Sequence, residues 1–406
     1  MTRVLLLLAL PSTAFSAAMV QHSTSLPVAL GYVVAAPLVL VVVLGVLQAS
    51  GVSRRVERSG WLGPAMLVAF FVVAAAAFAV IYPIADARKV IGGGTDTDDA
   101  LDLAVRALLH GSYPYAEPTY LNNPISQLLG WIVLAAPFVL VFGRAAYLNV
   151  FWLGLWLAML AIEAGSAWVA AVLATLTFVV FPGIPLTFLN GSDSFASLVA
   201  VAVLVVGSRR APKGRWPLGL LAVTTGVVLS SRFNVVLLLS LLAASVGRRF
   251  GLARACAYAA VAGLVWLLVS FGPWLIDPSG FTPLHTYGML GRFDSVIPRF
   301  GLLVPLATAL LAVLLGGWVL GGGDVWLAMG LVLSMPVVCN FLAETAVYRH
   351  LDLWPLVYGL IATPVWVLAV APAVNALLSA APRSAPESAQ PPFWRLMPRS
   401  AAARRS

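Results

Sequence analysis

The sequence predicts an all-α fold, a polytopic bundle of transmembrane helices. Hydrophobic residues make up 61% of the chain and charged residues only 10%, and the mean hydropathy is +0.98. A soluble domain has no need of that much apolar surface, so lipid is the expected solvent for most of the chain. Apolar runs recur along the whole sequence, and arginines gather in short clusters between them. This pattern predicts about twelve spans.

The first apolar runs lead into the longest polar interval of the chain. Residues 1–20 have the composition of a first span or of a signal peptide, and the span is preferred because run 27–49 follows at once. Run 61–85 then delivers the chain to the interval 86–123. A chain with so few charges is expected to build a site where it concentrates them. The acidic residues of this interval are Asp86, Asp96, Asp98, Asp99, Asp102 and Glu117.

Further apolar runs follow this interval. A span needs about 20 helical residues, so the shorter runs indicate kinked or re-entrant helices, and 124–142 is expected to be re-entrant or interfacial. Residues 1–372 are therefore predicted to form one transmembrane domain. The basic, Pro- and Ser-rich segment 373–406 is predicted to be a disordered cytoplasmic tail near anionic lipid. The runs lie at about 124–142, 145–162, 165–189, 194–207, 217–231, 233–246, 255–276, 300–320, 325–341 and 351–372.

The arginine clusters predict the topology. Clusters at 53–59, 209–215 and 248–254, together with the tail, are expected in the cytoplasm because membrane proteins keep positive loops inside. Both termini are then cytoplasmic, and 86–123 lies on the extracytoplasmic face of the cell membrane. The number of membrane crossings agrees with this sidedness only if segment 124–142 does not cross the membrane. The same distribution of positive charge argues against nucleic acid as a partner.

Three carboxylates of the polar interval are candidate catalytic groups. A helix is predicted from about Asp98 to His110, capped by the Thr/Asp run before it. Paired carboxylates at a membrane surface raise one another's pKa, as a general base requires. The alternative is that they are helix caps favoured by the helix dipole. The candidates are Asp96, Asp98 and Asp99.

Later polar segments supply candidate substrate-binding residues. Arg232 lies between two short apolar runs, and its planar guanidinium suits phosphate oxygens, with a structural ion pair as the alternative. The turn 190–193 is alternatively a helix cap, and 277–299 and 344–350 are alternatively interfacial anchors. Asn123 of the acidic interval is a further candidate. The candidates are Asn123, Asn190, Asp193, Arg232, Asn234, His285, Arg292, Arg349 and His350.

The order of these motifs resembles the GT-C superfamily of integral-membrane glycosyltransferases. The size and bare membrane build look most like the polyprenyl-phosphate-mannose-dependent mannosyltransferases of actinobacteria. Two departures are that the acidic loop follows the third predicted span and that the pair is Asp-Asp where many relatives have Asp-Glu. The segments that carry the resemblance are 98–100, 109–115, 122–126, 190–193, 231–234 and 348–355.

The resemblance implies an inverting glycosyltransferase. A hexose such as mannose, or a pentose, would move from a polyprenyl-phosphate donor to a lipid or glycan acceptor. Asp98 would be the general base with Asp99 second, and Arg232, Arg349 and His350 would hold the phosphate. No cofactor is implied, although clustered Asp residues leave a divalent metal open. The competing interpretations are a lipid or glycan transporter or flippase, and a polymerase or ligase of the O-antigen type.

Overall fold

Helices account for all the regular structure in the described residues. The computed structural model describes residues 2–212 and 214–380, so residues 381–406 of the tail predicted to be disordered lie outside it. The prediction is wrong for residues 373–379, which belong to the last helix. The helices are α1 (Thr2–Ser23), α2 (Leu26–Ser50), α3 (Val52–Ser59), α4 (Leu62–Ala87), α5 (Asp96–Leu109), α6 (Leu129–Phe142), α7 (Leu148–Ala164), α8 (Ala167–Val180), α9 (Gly183–Leu189), α10 (Ser194–Arg210), α11 (Arg215–Leu229), α12 (Leu239–Phe250), α13 (Leu252–Ile276), α14 (His285–Gly291), α15 (Phe300–Leu320), α16 (Val325–Tyr348) and α17 (Thr363–Ser379).

Eight helices within the described residues are long and apolar enough to cross a membrane, and a bent pair would make nine. Three of them include a 3₁₀ turn that leads into the α-helix. A membrane-embedded helical architecture therefore agrees with the prediction, whereas the predicted count of about twelve spans is not confirmed. These candidate spans are Leu26–Ser50, Leu62–Ala87, Ala145–Ala164, Phe233–Phe250, Leu252–Ile276, Phe300–Leu320, Val325–Tyr348 and Trp354–Ser379.

Several apolar runs form helices shorter than a bilayer crossing. Helix α6 has 14 residues, which gives about 21 Å of rise against a hydrocarbon core of about 30 Å. The helix is thus short for a crossing, and the re-entrant or interfacial placement of 124–142 stays a prediction. Helices α10 and α11 have 17 and 15 residues. The runs predicted as spans at 194–207 and 217–231 are thus also short.

One predicted span is broken. The sequence predicts a single span over 165–189, but α8 ends at Val180 and α9 runs at 89° to it. Pro182 lies in the break, and a proline inside a helix loses a backbone hydrogen bond and clashes with the preceding turn. After the bend, the short helix α9 leads to the turn at 190–193.

Helix α1 is an integral part of the bundle. Phe15 is 2% exposed, and a Cβ atom added to Gly359 would collide with its ring. Near the end of α1, Gln21 Oε1 accepts a hydrogen bond from Leu353 N at 2.7 Å. Helix α1 therefore packs against the bundle through Phe15 and Gln21, but it is not among the described helices that are long and apolar enough to cross a membrane, so the predicted first span is not confirmed.

Polar contacts at one end of the bundle involve the basic clusters. Arg209 forms an ion pair with Glu163 at 2.8 Å, and Trp326 Nε1 donates to the same carboxylate at 2.9 Å. Trp168 Nε1 donates to Ser53 Oγ at 3.0 Å. Segments around 53, 163–168, 209 and 326 are therefore neighbours at this end.

The opposite end gathers the acidic interval and the later polar segments. Tyr113 Oη donates to the Asp277 carbonyl at 3.1 Å. Thr282 Oγ1 donates to the Ile125 carbonyl at 2.8 Å. Segments predicted to share one face of the membrane thus lie together, away from the basic clusters.

The first prediction concerns the contact between α6 and α11. A Cβ atom at Gly130 would lie 2.7 Å from Ser230 Cβ, closer than two carbons approach, and Gly130 N donates to Ser230 Oγ at 3.2 Å. We expect Gly130→Ala to push the two helices apart and to destabilise the protein by roughly 1–3 kcal/mol, as overpacking does. Thermal unfolding in detergent measures the loss.

Gly219→Ala is the matched control. Gly219 lies in α11, and nothing stands within 4 Å of the position of its added Cβ. Its unfolding temperature should stay constant or rise slightly, since alanine favours a helix over glycine by about 1 kcal/mol. Equal unfolding temperatures for the two variants would show that α6 and α11 are not closely packed.

Candidate functional site

Helix α5 places its carboxylates through its own amphipathic pattern. Thr95 caps the helix, because its Oγ1 accepts from Thr97 N at 3.4 Å. Asp98 and Asp102 are four residues apart and therefore lie on the same face of the helix. Leu101, between them in the sequence, is buried. Each of the two carboxylates belongs to a residue that is 4% exposed. The helical period therefore turns two acidic side chains into the bundle.

The Asp98 carboxylate has one satisfied oxygen. Tyr82 Oη donates to Oδ2 at 2.7 Å. Oδ1 is what we call an open atom, a buried polar atom with no hydrogen-bond partner in the part of the chain that the structure describes. Burial raises the pKa of Asp98 to about 7; the Tyr82 hydrogen bond opposes the rise and the charge of Asp86 adds to it. At neutral pH this group is poised between its acid and base forms.

The neighbouring carboxylates are occupied by the polar interval itself. Asp99 Oδ1 accepts from Lys89 Nζ at 3.0 Å, and Asp99 Oδ2 accepts from Tyr120 N at 3.0 Å. Asp96 Oδ2 accepts from Asn123 Nδ2 at 2.6 Å. These contacts hold the segment 119–123 over the start of α5, so both carboxylates have a structural task.

Asp102 anchors α5 to the following span. Its Oδ1 accepts from Ala145 N at 2.6 Å, and its Oδ2 pairs with Arg144 at 3.1 Å. Arg144 also pairs with Asp86 at 2.9 Å. Burial raises the pKa of Asp102, while the Ala145 N–H and the Arg144 guanidinium act to lower it. The contact fixes where the span 145–164 begins relative to Asp98.

The turn 190–193 reaches Asp98 because it contains a glycine. Gly191 has φ +93°, a backbone conformation that side chains disfavour. A Cβ atom there would lie 2.9 Å from Asp98 Oδ2 and 2.7 Å from the Tyr82 ring. The backbone of Gly191 thus packs directly on the Tyr82–Asp98 hydrogen bond.

The same turn carries the ion pair of Arg232. Arg232 Nη2 donates to Asp193 Oδ1 at 2.6 Å, and Arg232 Nη1 lies 3.5 Å from Ser126 Oγ. The Arg232 side chain is 22% exposed and that of Asp193 1%. Asp193 Oδ2 and Arg232 Nε are open atoms. The guanidinium is therefore a partly shielded cation with an unused donor.

These contacts close into a ring. Gln127 Nε2 donates to the Thr97 carbonyl at 3.1 Å, so the segment that touches Arg232 through Ser126 returns to α5. Asn149 Nδ2 donates to the Ser192 carbonyl at 2.9 Å and joins from outside. We call the enclosing set the Asp98 ring; its members are Thr97–Asp98, Gly191–Asp193, Arg232 and Ser126–Gln127.

Open atoms concentrate in the Asp98 ring and beside it. Buried polar atoms in native proteins nearly always have a partner, so such a concentration marks atoms that ordered water or a ligand would satisfy. The open atoms in question are Asp98 Oδ1, Gln127 Oε1, Asn149 Oδ1, Asp193 Oδ2, Ser231 Oγ and Arg232 Nε.

Some of the residues predicted as substrate-binding contribute in another way. Asn190 Oδ1 accepts from Ser192 N at 3.1 Å and so shapes the turn. Asn234 is half-buried in the 3₁₀ helix Phe233–Leu238. Asn123 is held by Asp96, as described above. These residues support the site without adding an open atom to it.

The predicted residues of the late loops lie apart from the ring contacts. Arg292 pairs with Glu344 at 2.5 Å, so these two late segments are joined to each other. His285 is exposed at the start of α14. Arg349 and His350 are exposed at the end of α16. Within the described residues, no hydrogen bond or ion pair joins Arg349 or His350 to Asp98 or Arg232.

Three members of the site escaped the sequence reasoning. Tyr82 lies in the third apolar run, and Gln127 and Asn149 lie in the next two. The signal was present, because a polar side chain inside a membrane segment is costly and usually faces a partner or a cavity. The candidates were taken from segments rich in polar residues, so these three, each lying within an apolar run, were missed.

The site must be interpreted from its own geometry. Within residues 2–212 and 214–380, no group of three or more His, Cys, Asp or Glu side chains is placed to hold a metal ion. No protein-family model, curated protein or solved structure matches this chain.

The raised pKa of Asp98 predicts a pH-dependent stability. The folded protein holds its proton up to about pH 7, whereas the unfolded chain releases it near 3.8. Stability therefore falls as the pH rises between these values, by about 1.4 kcal/mol for each step of one in pH. Asp98→Asn removes this loss. We expect the variant to unfold at a higher temperature than wild type at pH 8 and at a similar temperature at pH 4.

Asp99→Asn is the control for this effect. Asp99 is the next residue, and its ion pair with Lys89 is partly exposed, so its loss costs about 0–1 kcal/mol. Thermal scans in detergent at both pH values should show no gain for this variant. A gain for Asp99→Asn equal to that for Asp98→Asn would contradict the assignment of the buried proton to Asp98.

Proposed function

We propose that this protein is a membrane glycosyltransferase that moves a sugar from a polyprenyl-phosphate donor to a hydroxyl group of a lipid or glycan acceptor. The observation that carries the proposal is the buried Asp98 carboxylate with its open oxygen Oδ1, in one ring with the partly exposed cation Arg232. Sugar transfer from a phosphate needs a base for the acceptor and a donor of hydrogen bonds for the leaving group. The Asp98 ring contains one of each.

Asp98 is the general base of the proposed reaction. Tyr82 fixes Oδ2, so Oδ1 is the oxygen that receives the proton of the acceptor hydroxyl. The acceptor oxygen attacks the anomeric carbon as this proton leaves, and the bond to the phosphate oxygen breaks with its electron pair remaining on the phosphate. Attack from the side opposite the phosphate inverts the anomeric carbon.

Arg232 is the residue proposed to hold the phosphate. Its Nη2 is engaged by Asp193, while Nε is open and Nη1 makes only the long contact to Ser126. A guanidinium presents such groups as a planar fork, which matches two oxygens of a phosphate. Arg349 and His350 have no part in this proposal.

The side of the membrane that each end of the bundle faces determines which sugar donor the site can reach. Positive-inside bias assigns the end that carries Arg209 and the cluster 53–59 to the cytoplasm. The Asp98 ring is then extracytoplasmic, in the cell membrane. Nucleotide sugars are absent from that side, so a lipid-linked sugar phosphate is the proposed donor.

A proton-coupled transporter of lipids or glycans is the second candidate. The 89° break between α8 and α9 and a buried carboxylate whose pKa is about 7 are features that transporters also use. The two candidates differ in product. A transporter moves labelled lipid across a vesicle membrane, whereas a transferase forms a new glycosidic bond.

The proposal predicts the effect of removing the base. Reconstituted vesicles receive labelled polyprenyl-phosphate mannose and a membrane extract as the acceptor source, and new glycolipid or glycan is counted. We expect Asp98→Asn to reduce the transfer rate about 10²–10⁴-fold, the usual contribution of general-base catalysis. Asp99→Asn should stay within about tenfold of wild type. Full transfer by Asp98→Asn, or lipid movement with no new bond, would refute the proposal.

The pKa of Asp98 predicts the pH dependence of transfer. Only the ionised carboxylate accepts a proton, so kcat/KM should rise with pH and level off above about 7. The Tyr82 hydrogen bond lowers this pKa, so Tyr82→Phe should shift the rise to higher pH. A profile that is flat between pH 6 and 8 for wild type would count against Asp98 as the base.

A further inference from the structure

Two buried amides belong to the site but have no task in the proposed mechanism. Asn149 is 0% exposed and Gln127 1% exposed. Each amide nitrogen donates to a backbone carbonyl, Asn149 to Ser192 at 2.9 Å and Gln127 to Thr97 at 3.1 Å. Their own carbonyl oxygens, Asn149 Oδ1 and Gln127 Oε1, are open atoms.

The orientation of both amides is fixed by chemistry. The partner is a backbone carbonyl in each case, and a carbonyl only accepts hydrogen bonds. Exchanging the oxygen and nitrogen of either amide would bring two acceptors together. The open oxygens of Asn149 and Gln127 are therefore the ends that point away from those backbone contacts.

Both amides lie within one residue of the groups that touch Asp98. Thr97, the partner of Gln127, directly precedes Asp98. Ser192, the partner of Asn149, directly follows Gly191, whose backbone packs on the Asp98 carboxylate. Each amide is thus anchored to a residue next to one that bears or contacts the Asp98 carboxylate.

The open atoms around Asp98 are mostly acceptors. The two amide oxygens are acceptors and cannot donate. Asp98 Oδ1 and Asp193 Oδ2 are likewise acceptors alone when their carboxylates are ionised, whereas Arg232 Nε is a donor. A phosphate offers oxygens and suits Arg232. The open acceptors instead suit a ligand that brings several hydrogen-bond donors, and adjacent hydroxyl groups supply such donors.

We propose that Asn149 and Gln127 bind hydroxyl groups adjacent to the one that Asp98 deprotonates, so that the acceptor is a polyol rather than a simple alcohol. This inference rests on the proposed function for the role of that polyol as the acceptor. A sugar, a cyclitol or a glycerol unit has the required adjacent hydroxyls. A site built to hydrogen-bond hydroxyls discriminates strongly against an analogue without them, because its own polar atoms stay unpaired.

The test compares two acceptor probes of equal chain length, octyl mannoside and 1-octanol. The full chain is reconstituted in vesicles with labelled polyprenyl-phosphate mannose. We expect wild type to prefer the mannoside at least tenfold in kcat/KM. Asn149→Leu and Gln127→Met should each reduce that preference at least tenfold by raising the KM for the mannoside, with the KM for the donor unchanged.

Asn375→Leu is the matched control. Asn375 lies in α17 beside Gly165, at the end of the bundle that carries the basic clusters. This variant should keep the preference of wild type. A structural role for Asn149 and Gln127 would change the KM values of both substrates and the unfolding temperature together.

A binding measurement separates this inference from the proposed function. Tryptophan fluorescence reports binding of octyl mannoside whether or not transfer occurs. Suppose that Asn149→Leu and Gln127→Met each weaken mannoside binding at least tenfold and that wild type shows no transfer. This result would support the polyol-binding site and refute the proposed transferase function. Transfer with an unchanged preference in both variants would overturn the inference alone. The inference would also be overturned if wild type bound octyl mannoside and 1-octanol equally well. It would likewise be overturned if Na⁺ or Mg²⁺ stabilised the wild-type protein and Asn149→Leu and Gln127→Met both abolished that stabilisation.

Discussion

The hydrogen bond from Tyr82 to Asp98 is the contact on which the site depends. It joins the last turns of a span, α4, to the first turn of the amphipathic helix α5, across the polar segment between them. The close approach of Gly191 then covers the pair from a third direction. Any one of these elements alone would leave the carboxylate in water, with an ordinary pKa. Together they remove it from solvent while satisfying only one of its oxygens, and this combination gives Asp98 a pKa near neutrality.

Helices that end early make room for such a group in an apolar bundle. Non-helical backbone at membrane depth persists where protein surrounds it or where it lines a cavity. Here the segment before α6 meets the segment after α11, and Leu128 N donates to the Ser231 carbonyl at 3.1 Å. Trp131 N donates to the Ser230 carbonyl at 3.0 Å. The ends of two short helices thus satisfy one another's backbone groups. Their side chains at the same level, Gln127 and Arg232 among them, remain available to line the ring.

Hydropathy and charge predicted the helical membrane build, the short segment at 124–142 and the gathering of polar segments at one end, since these depend on local composition. The break at Pro182 was missed because 165–189 is apolar throughout, and hydropathy does not register a bend. Within the acidic interval, the sequence could not separate Asp98 from Asp99. Their difference arises from the helical phase against Leu101 and from tertiary partners, Tyr82 for one and Lys89 for the other. The apolar runs around Gln127 and Asn149 could have marked both residues, but their unsatisfied oxygens are seen only in the folded chain.

The charges of the ring also bear on how a base and a phosphate site would work side by side. Arg232 is offset by Asp193, so its contribution is directional donors more than net positive charge. With Asp98 ionised the ring carries a surplus negative charge, and a bound phosphate adds to it. Transfer of the acceptor proton to Asp98 removes that charge as the departing phosphate gains one. In the proposed reaction, repulsion between the two groups therefore decreases as the bonds change, which lowers the energy of the transition state relative to the bound substrates. Asp193 matters to this reaction because it neutralises Arg232. A free arginine cation would lower the pKa of Asp98 and so make Asp98 a weaker base for the acceptor proton.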